Sequence, residues 1–205
     1  HVARRARAVV ATDNRASDRA FERAGFRASP GGCKLLIYRT DEAISRHTPA
    51  PDVRVRPASS PSEATHWLDA LGAQHQELGS GTPAVPSALG AGDSTRTVPD
   101  QGRLSLLLAE QDGQPAGFAE LIEVETLLYQ GVWIESLVAQ GSQVRTAMVQ
   151  HVVRWAQEGG LEEVGAMVPQ EEWALQHGLL AAGFRSLGDF RWFTAELPIR
   201  GDALG

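Results

Sequence analysis

Few residues of this chain have the types and spacing that metal or nucleophilic chemistry needs. Cys33 is the only cysteine, so the chain has neither a disulfide framework nor a cysteine-based zinc site. The six histidines are scattered, and although His66 and His75 could share a helix, their spacing does not suit a pair of metal ligands. The sequence therefore predicts no metal site.

The composition of the 205 residues is that of a soluble globular protein. Charged residues make up 21% and apolar residues 42%, which is enough to form a core. The net charge of -6 argues against sequence-independent binding of nucleic acid, which requires a basic surface. No run approaches the roughly 20 apolar residues that span a bilayer, and no hydrophobic signal segment opens the chain. We expect a cytoplasmic protein that binds neither nucleic acid nor membrane.

Three regions differ in composition. The first carries a strand-like RAVVAT, a helix and a second strand-like CKLLIYRT. The second holds three prolines among polar residues and ends in VRVRP, as a linker leading into an extended strand would. The third alternates strand and helix patterns, as one α/β domain does. The predicted boundaries are 1–45 for a truncated C-terminal half-domain, 46–57 for the linker and 58–200 for a complete domain.

The complete domain opens with a predicted helix, PSEATHWLDALGAQHQEL, capped by Ser62. Its apolar face is formed by Trp67, Leu68, Leu71 and Leu78. Residues 79–101 are rich in Gly, Pro, Ser and Thr and predict a long loop. Two strand runs then flank Asp112-Gly113, which is a hairpin signal.

The rest of the domain continues the alternation. GVWIESLVA is nearly all apolar and predicts a strand at the centre of a sheet, and QVRTAMVQHVVRWAQEGG predicts an amphipathic helix. The apolar face of that helix is formed by Met148, Val152, Trp155 and Ala156. EEVGAMVP, EEWALQHGLLAAGF and DFRWFTAEL then predict a strand, a helix and a closing strand.

The first region repeats part of the third. With a shift of 158 residues, RAVVATDNRASDRAFERAGFR aligns with GAMVPQEEWALQHGLLAAGFR, and strand, helix, Ala-Gly-Phe-Arg and strand recur in order. The matched positions are Ala8 with Ala166, Val10 with Val168, Ala16 with Ala174 and Ala24 with Ala182. The alignment predicts the tail of one domain followed by a whole one. Because 5–40 amounts to half a sheet, we expect its strands to pack onto the complete domain or onto a second chain.

This order of elements resembles the GNAT superfamily of acyl-CoA-dependent N-acetyltransferases. The sequence segments that carry the resemblance are DNRASDRAFERAGFR in the first copy and PAGFAELIEV, WIESLVA, VRTAMVQHVVRWAQEGG and AAGFR in the second. They cover residues 53–198 as a domain and 5–40 as a terminal half. The resemblance implies an α/β fold with a mixed central sheet flanked by helices, preceded by a partial repeat of the same fold.

The resemblance also implies where acetyl-CoA binds. GNAT proteins hold the pyrophosphate with a Q/R-x-x-G-x-G/A loop at a helix N-terminus, where backbone N–H groups cradle anions. Arg145 occupies a slot usually held by Gly, where its side chain could pair with a phosphate, obstruct it or simply be solvated. In this chain the loop corresponds to Ser142, Gln143, Val144, Arg145, Thr146 and Ala147. The backbone of Leu137, Val138 and Ala139 would pair with the pantetheine arm.

The catalytic groups implied by the family are incompletely matched. Glu135 lies where some members place a carboxylate that deprotonates the substrate ammonium through water; the alternative is an edge-facing Glu that only solubilises its strand. Glu120 is a second candidate, although strand alternation readily places such a residue on a solvent face. Many members protonate the departing thiolate with a Tyr, but the corresponding positions here are Phe21 and Leu179.

The tryptophans add little to this picture. Trp155 and Trp192 fit core positions, whereas Trp133 and Trp173 could line an acceptor cleft or pack at the rim of the core. The implied function is acetyl transfer from acetyl-CoA to an amine of a small molecule or peptide by direct attack. The alternative is a degenerate GNAT-like module with a structural, regulatory or dimerisation role, for which a homodimer is one expected form.

Overall fold

The periodic segments of the sequence become strands and helices of one mixed sheet. The computed structural model describes residues 5–41, 52–72, 102–125 and 130–196. The strands are β1 (Arg5–Ala11), β2 (Arg27–Ala28), β3 (Cys33–Arg39), β4 (Val53–Pro57), β5 (Gly102–Gln111), β6 (Gln114–Glu125), β7 (Gln130–Ala139), β8 (Glu163–Pro169) and β9 (Arg185–Glu196). The helices are α1 (Arg15–Arg23), α2 (Pro61–Leu71), α3 (Gly141–Glu158) and α4 (Trp173–Ala181).

The sheet runs in the order β1-β9-β3-β8-β7-β6-β5-β4, and β2 pairs with β9. All neighbours are antiparallel except β7 and β8, which are parallel and joined by a crossover through α3. A parallel pair needs such a crossover, whereas antiparallel neighbours can be joined by tight turns. The mixed sheet with flanking helices that the sequence predicted is therefore present.

The two faces of the sheet carry separate apolar clusters. On one face α3 and α4 pack over the strands, and Met148, Val152 and Ala156 of α3 are fully buried, as predicted. Trp155 is only half-buried at the edge of this cluster. On the other face α2 covers Leu108 and Phe118. The helices on each face thus hold the side chains of the central strands in position.

Residues 5–39 share this sheet with the rest of the chain. β3 lies between β8 and β9, and the far end of β9 pairs with β1. β2 pairs with the end of β9, through Arg27 with Thr194 and Ala28 with Phe193. The start of β9 pairs with β3 through Arg185 with Ile37 and Ser186 with Leu36, which is one residue away from an exact shift of 158. The predicted repeat stays a prediction.

Local turn chemistry decides several boundaries. Asp112 and Gly113 both have positive φ angles, 52° and 74°, as the predicted β5–β6 hairpin requires. Helix α2 is capped by Ser60 rather than the predicted Ser62: Glu63 N donates to Ser60 Oγ at 3.2 Å. The predicted helix is also too long, because α2 ends at Leu71, before Gly72 in the left-handed conformation.

The rest of that predicted helix, including Leu78, and the predicted loop 79–101 lie outside the described residues. So do most of the predicted linker and Tyr129. VRVRP, the end of the linker, forms β4 and pairs with β5. No helix within the described residues is long and apolar enough to cross a membrane.

Candidate functional site

The two parallel strands at the centre of the sheet separate along their length. The β7–β8 register begins at Gly131 with Glu163 and ends at Ile134 with Ala166. Beyond that pair β7 continues alongside β6, while β8 continues alongside β3. Because neither strand pairs with the other beyond this point, a cleft opens between their C-terminal halves.

A β-bulge marks the point of separation. Glu120 of β6 pairs with Ser136, but the next residue, Leu121, pairs with Ile134, so Glu135 is an extra residue on β7. A bulge of this kind bends its strand and increases the local twist. The bulge therefore turns the C-terminal half of β7 away from β8 and accounts for the divergence.

The backbone N–H and C=O groups of successive β7 residues point alternately toward β6 and toward this cleft. Gln140 N donates to Ala116 O of β6 at 2.8 Å. Since alternate residues of an antiparallel strand bond to the same neighbour, Val138 also directs its N–H and C=O groups to β6. Leu137 and Ala139 direct theirs to the opposite side, where β8 has departed. Of the three predicted contact residues, two are therefore oriented toward the cleft.

Helix α3 begins directly after β7, at the open end of the cleft. Gly141 has a φ of 89°, which turns the chain sharply from strand into helix. The N-cap residue Gln140 makes no side-chain capping bond, and the first turn contains no acidic residue. The first N–H groups of a helix lack intrahelical acceptors and carry a partial positive charge. This terminus can therefore accept an anion.

The six residues predicted for the phosphate loop divide by burial. Val144 and Ala147 are buried in the core, so their side chains hold α3 against the sheet. Ser142 and Gln143 are exposed, whereas Arg145 and Thr146 are half-buried. A Cβ at Gly117 of β6 would lie only 2.5 Å from Met148 Sδ. The lack of a side chain at Gly117 thus permits the close approach that fixes the first turns of α3.

Arg145 crosses the space between α3 and α4. A Cβ at Gly178 of α4 would lie 2.9 Å from Arg145 Cδ, so the arginine stem packs on the bare backbone of that glycine. Arg145 is accordingly not a freely solvated residue of the first turn. Its aliphatic part is held against the neighbouring helix.

The two carboxylates singled out from the sequence both lie in the middle of the sheet. Glu120 is 1% exposed and pairs across the β6–β7 ladder with Ser136, which is 0% exposed. The expectation that strand alternation places Glu120 on a solvent face is therefore wrong, because both faces of β6 are covered here. Glu135 is half-buried at the bulge, one residue beyond the last β7–β8 register pair.

The two positions at which the resemblance implies a proton-donating tyrosine are filled by apolar side chains. Leu179 of α4 is 0% exposed within the cluster beneath the helix, and Phe21 of α1 stacks on Phe193 with ring centroids 5.8 Å apart. Tyr38, the one tyrosine in the described ranges, pairs with Val164 near the start of β8, away from the diverging ends. None of the three offers a phenolic proton at the cleft.

The remaining candidates, three tryptophans and Cys33, differ in how far they are buried. Trp133 packs over Gly165, where a Cβ would lie 3.0 Å from its ring, while Trp173 is 69% exposed and contacts His177 edge-on. Trp192 is half-buried rather than fully in the core. Burial raises the pKa of the Cys33 thiol to about 11, which leaves it unreactive at neutral pH. In the described ranges no three His, Cys, Asp or Glu residues are grouped as metal ligands would be.

Comparison with known proteins shows the fold. No protein-family model matches the chain, and no curated protein matches its sequence. Among solved structures, a GCN5-related N-acetyltransferase from Sphaerobacter thermophilus superposes with a TM-score of 0.59 at 16% identity, covering 94% of this chain and 59% of that one. The chain has the GNAT fold.

Two further structures agree with this result. A GCN5-related N-acetyltransferase from Kribbella flavida has a TM-score of 0.57 at 13% identity, covering 94% of this chain and 68% of that one. A tandem GNAT protein from the clavulanic acid biosynthesis pathway has a TM-score of 0.55 at 15% identity, covering 94% and 63%. The chain thus spans about three fifths to two thirds of the length of these neighbours, and the sequence resemblance is confirmed at the level of the fold.

Sequence reasoning missed two glycines beside this GNAT-fold cleft, Gly117 and Gly178, which admit α3 and Arg145. It also missed Ser136, whose buried hydroxyl has no hydrogen-bond partner in the described part of the chain. Gly117 stands in the quoted word PAGF, but a single glycine in a strand does not reveal what approaches it. Only the packing of α3 on β6 reveals its role.

Proposed function

We propose that this protein is an acetyl-CoA-dependent N-acetyltransferase that acts on an amine of a small molecule or peptide. The observation that carries the proposal is the separation of β7 from β8 beyond Ile134 and Ala166, with the N-terminus of α3 at the open end. The neighbours described as N-acetyltransferases support the same reaction class.

The donor would occupy the cleft in an extended form. The backbone groups of Leu137 and Ala139 would pair with the amides of the pantetheine arm, as an added strand would. The pyrophosphate would then meet the first turn of α3, residues 142–147, where the backbone N–H groups and the charge of Arg145 favour an anion. Val144 and Ala147 serve this site indirectly, because their burial fixes the helix.

The reaction would proceed by direct attack. The neutral amine attacks the thioester carbonyl, a C–N bond forms, and the C–S bond breaks to release the CoA thiolate. The proton of the ammonium passes through water to Glu135, the predicted general base. With Leu179 at the tyrosine position, the thiolate takes its proton from solvent.

Release of free thiol from acetyl-CoA in the presence of a panel of amines tests this proposal. Glu135→Gln keeps the size of the side chain and removes the base, so the rate should fall by about 10²- to 10⁴-fold while donor affinity stays unchanged. Glu120→Gln is the matched comparison, because it alters a buried carboxylate one register pair from the bulge. If Glu120→Gln abolishes turnover and Glu135→Gln does not, the base is assigned wrongly.

A second candidate function is a GNAT-like module without catalysis, with a structural, regulatory or dimerisation role. Two observations favour it: Leu179 replaces the proton donor, and Arg145 occupies a glycine slot of the phosphate loop. Such a module would show no saturable binding of acetyl-CoA. A cytoplasmic location and an amine acceptor remain expectations that accompany the enzymatic proposal.

A further inference from the structure

Ser136 of β7 carries a buried polar group that the proposed reaction does not yet use. Its side chain is 0% exposed, and its Oγ has no hydrogen-bond partner among the residues that the structure describes. A buried hydroxyl without a hydrogen bond is costly, so most such groups in folded proteins are paired with protein or with ordered water. The surroundings of Ser136 indicate what its partner is.

Ser136 lies beside a buried carboxylate. Ser136 and Glu120 are register partners on β7 and β6, and such partners point to the same face of the sheet with Cβ atoms about 4.5–5.5 Å apart. Glu120 also pairs with Leu106 of β5, which packs in the apolar cluster under α2. The hydroxyl and the carboxylate of Glu120, which is 1% exposed, are therefore neighbours on the α2 face.

The bulge of β7 brings Glu135 to the same place. Ile134 packs in the cluster under α3, and the next residue of an extended strand points to the opposite face, so Glu135 points to the face of Glu120. Ser136 points to that face too, because Glu135 is the extra residue of the bulge and two residues of β7 oppose one of β6 there. One face of the sheet thus holds two carboxylates and a hydroxyl around the bulge.

These three groups differ in what they can donate. The hydroxyl has a hydrogen to donate, whereas ionised carboxylates only accept hydrogen bonds and repel each other. A water molecule can accept from the hydroxyl and donate to each of the two carboxylates, and a buried water typically makes about three such bonds. A water is therefore the smallest ligand that bonds to all three groups at once.

We propose that Ser136 and Glu120 hold a water molecule that orients the carboxylate of Glu135, which makes Ser136 a positioning residue for the acetyl transfer. Ser136 Oγ donates to this water, and the water donates to one oxygen of Glu120 and to one oxygen of Glu135. The second oxygen of Glu135 remains available for the proton of the acceptor ammonium. This inference rests on the proposed function, because it assigns a role within that reaction.

The kinetics of acetyl transfer test this role, with acetyl-CoA and the amine that gives the fastest thiol release in the panel. Ser136→Ala removes the donor to the water, so kcat should fall about 10-fold while the affinity for acetyl-CoA and the KM of the amine stay unchanged. Ser136→Thr keeps a hydroxyl and should recover most of that loss. A purely structural role would lower the stability of Ser136→Ala without lowering the kcat of the folded protein.

Ser105→Ala is the matched control. It removes a half-buried strand hydroxyl of the same sheet, but Ser105 pairs with Leu121 of the cluster under α3 and so points to the other face. Its kcat should equal that of the unsubstituted chain. Equal kcat values for Ser136→Ala and Ser105→Ala would overturn the inference. If Ser136→Thr does not fold, this comparison still decides.

A crystal structure provides a readout that needs no turnover. We expect an ordered water at about 2.6–3.0 Å from Ser136 Oγ and from one oxygen of each of Glu120 and Glu135. A hydrogen bond from Ser136 Oγ to a protein group in place of this water would overturn the inference. If the unsubstituted chain releases no thiol with any amine, the proposed function fails and the positioning role fails with it. Full activity of Ser136→Ala would instead overturn this inference alone.

Discussion

Ile134 of β7 and Ala166 of β8 are the last register partners of the two parallel strands, and the strands separate immediately beyond them. The bulge at Glu135 coincides with this point, so a single extra residue both opens the cleft and positions a carboxylate at its base. The geometry of the site therefore originates in the register of β6 with β7.

The alternation along β7 predicts different effects of proline at adjacent positions. Ala139→Pro removes an N–H that faces the cleft, where an unpaired strand position tolerates proline. We expect a roughly 3- to 10-fold loss of acetyl-CoA affinity with the fold retained. Val138→Pro removes an N–H that bonds to β6 and should destabilise the protein by about 1–3 kcal/mol or more. Calorimetric titration and urea unfolding of both variants measure these effects; a reversed pattern would show that the alternation is assigned wrongly.

The contact of Arg145 with Gly178 predicts coupling between the two positions. In an Arg145→Ala background, Gly178→Ala should stabilise the protein by about 1 kcal/mol, because alanine is the better helix former. With Arg145 present, the new methyl group collides with the arginine stem, so the gain should be smaller by at least ~0.5 kcal/mol. Unfolding free energies of the four proteins give this coupling directly. If the effects of the two substitutions on the unfolding free energy are strictly additive, the aliphatic part of Arg145 does not rest on Gly178.

The burial of His151 predicts that stability falls in acid. Its pKa in the folded protein is lowered, first by burial and then by Arg154, while Glu158 opposes the shift. The unfolded chain therefore binds this proton more readily, so the contribution of His151 is fully present above the unfolded pKa of about 6.5 and is lost as the pH falls below it. Denaturant unfolding between pH values of about 7.5 and 5.5 measures the effect. His151→Gln should reduce the change of the unfolding free energy with pH. If that change is the same in the variant, His151 is excluded as its source.

Elements set by local pattern could be predicted from the sequence. Asp112-Gly113 forms the expected hairpin, and Met148, Val152 and Ala156 face the core, because these features depend only on neighbouring residues. The burial of Glu120 could not be predicted, since it depends on helices packing on both faces of the sheet. The Arg145–Gly178 contact joins two helices that are distant in sequence, so no local pattern contains it.

The position of β3 between β8 and β9 illustrates the same limit on a larger scale. Cys33–Arg39 was expected to be a strand that packs onto the complete domain or onto a second chain, but a strand pattern does not specify its neighbours. The Ser60 cap shows that local errors of a residue or two also occur: two serines lie at the start of α2, and only the backbone geometry distinguishes them.

The proposed function requires that the β7–β8 cleft binds acetyl-CoA, and calorimetric titration of the 205-residue chain with acetyl-CoA tests this requirement most directly. We predict saturable binding of one donor per chain, weakened in Ala139→Pro by the loss of a single backbone donor. No detectable binding with millimolar acetyl-CoA, under conditions in which the protein is folded, would contradict the transferase proposal and leave the non-catalytic module as the better description.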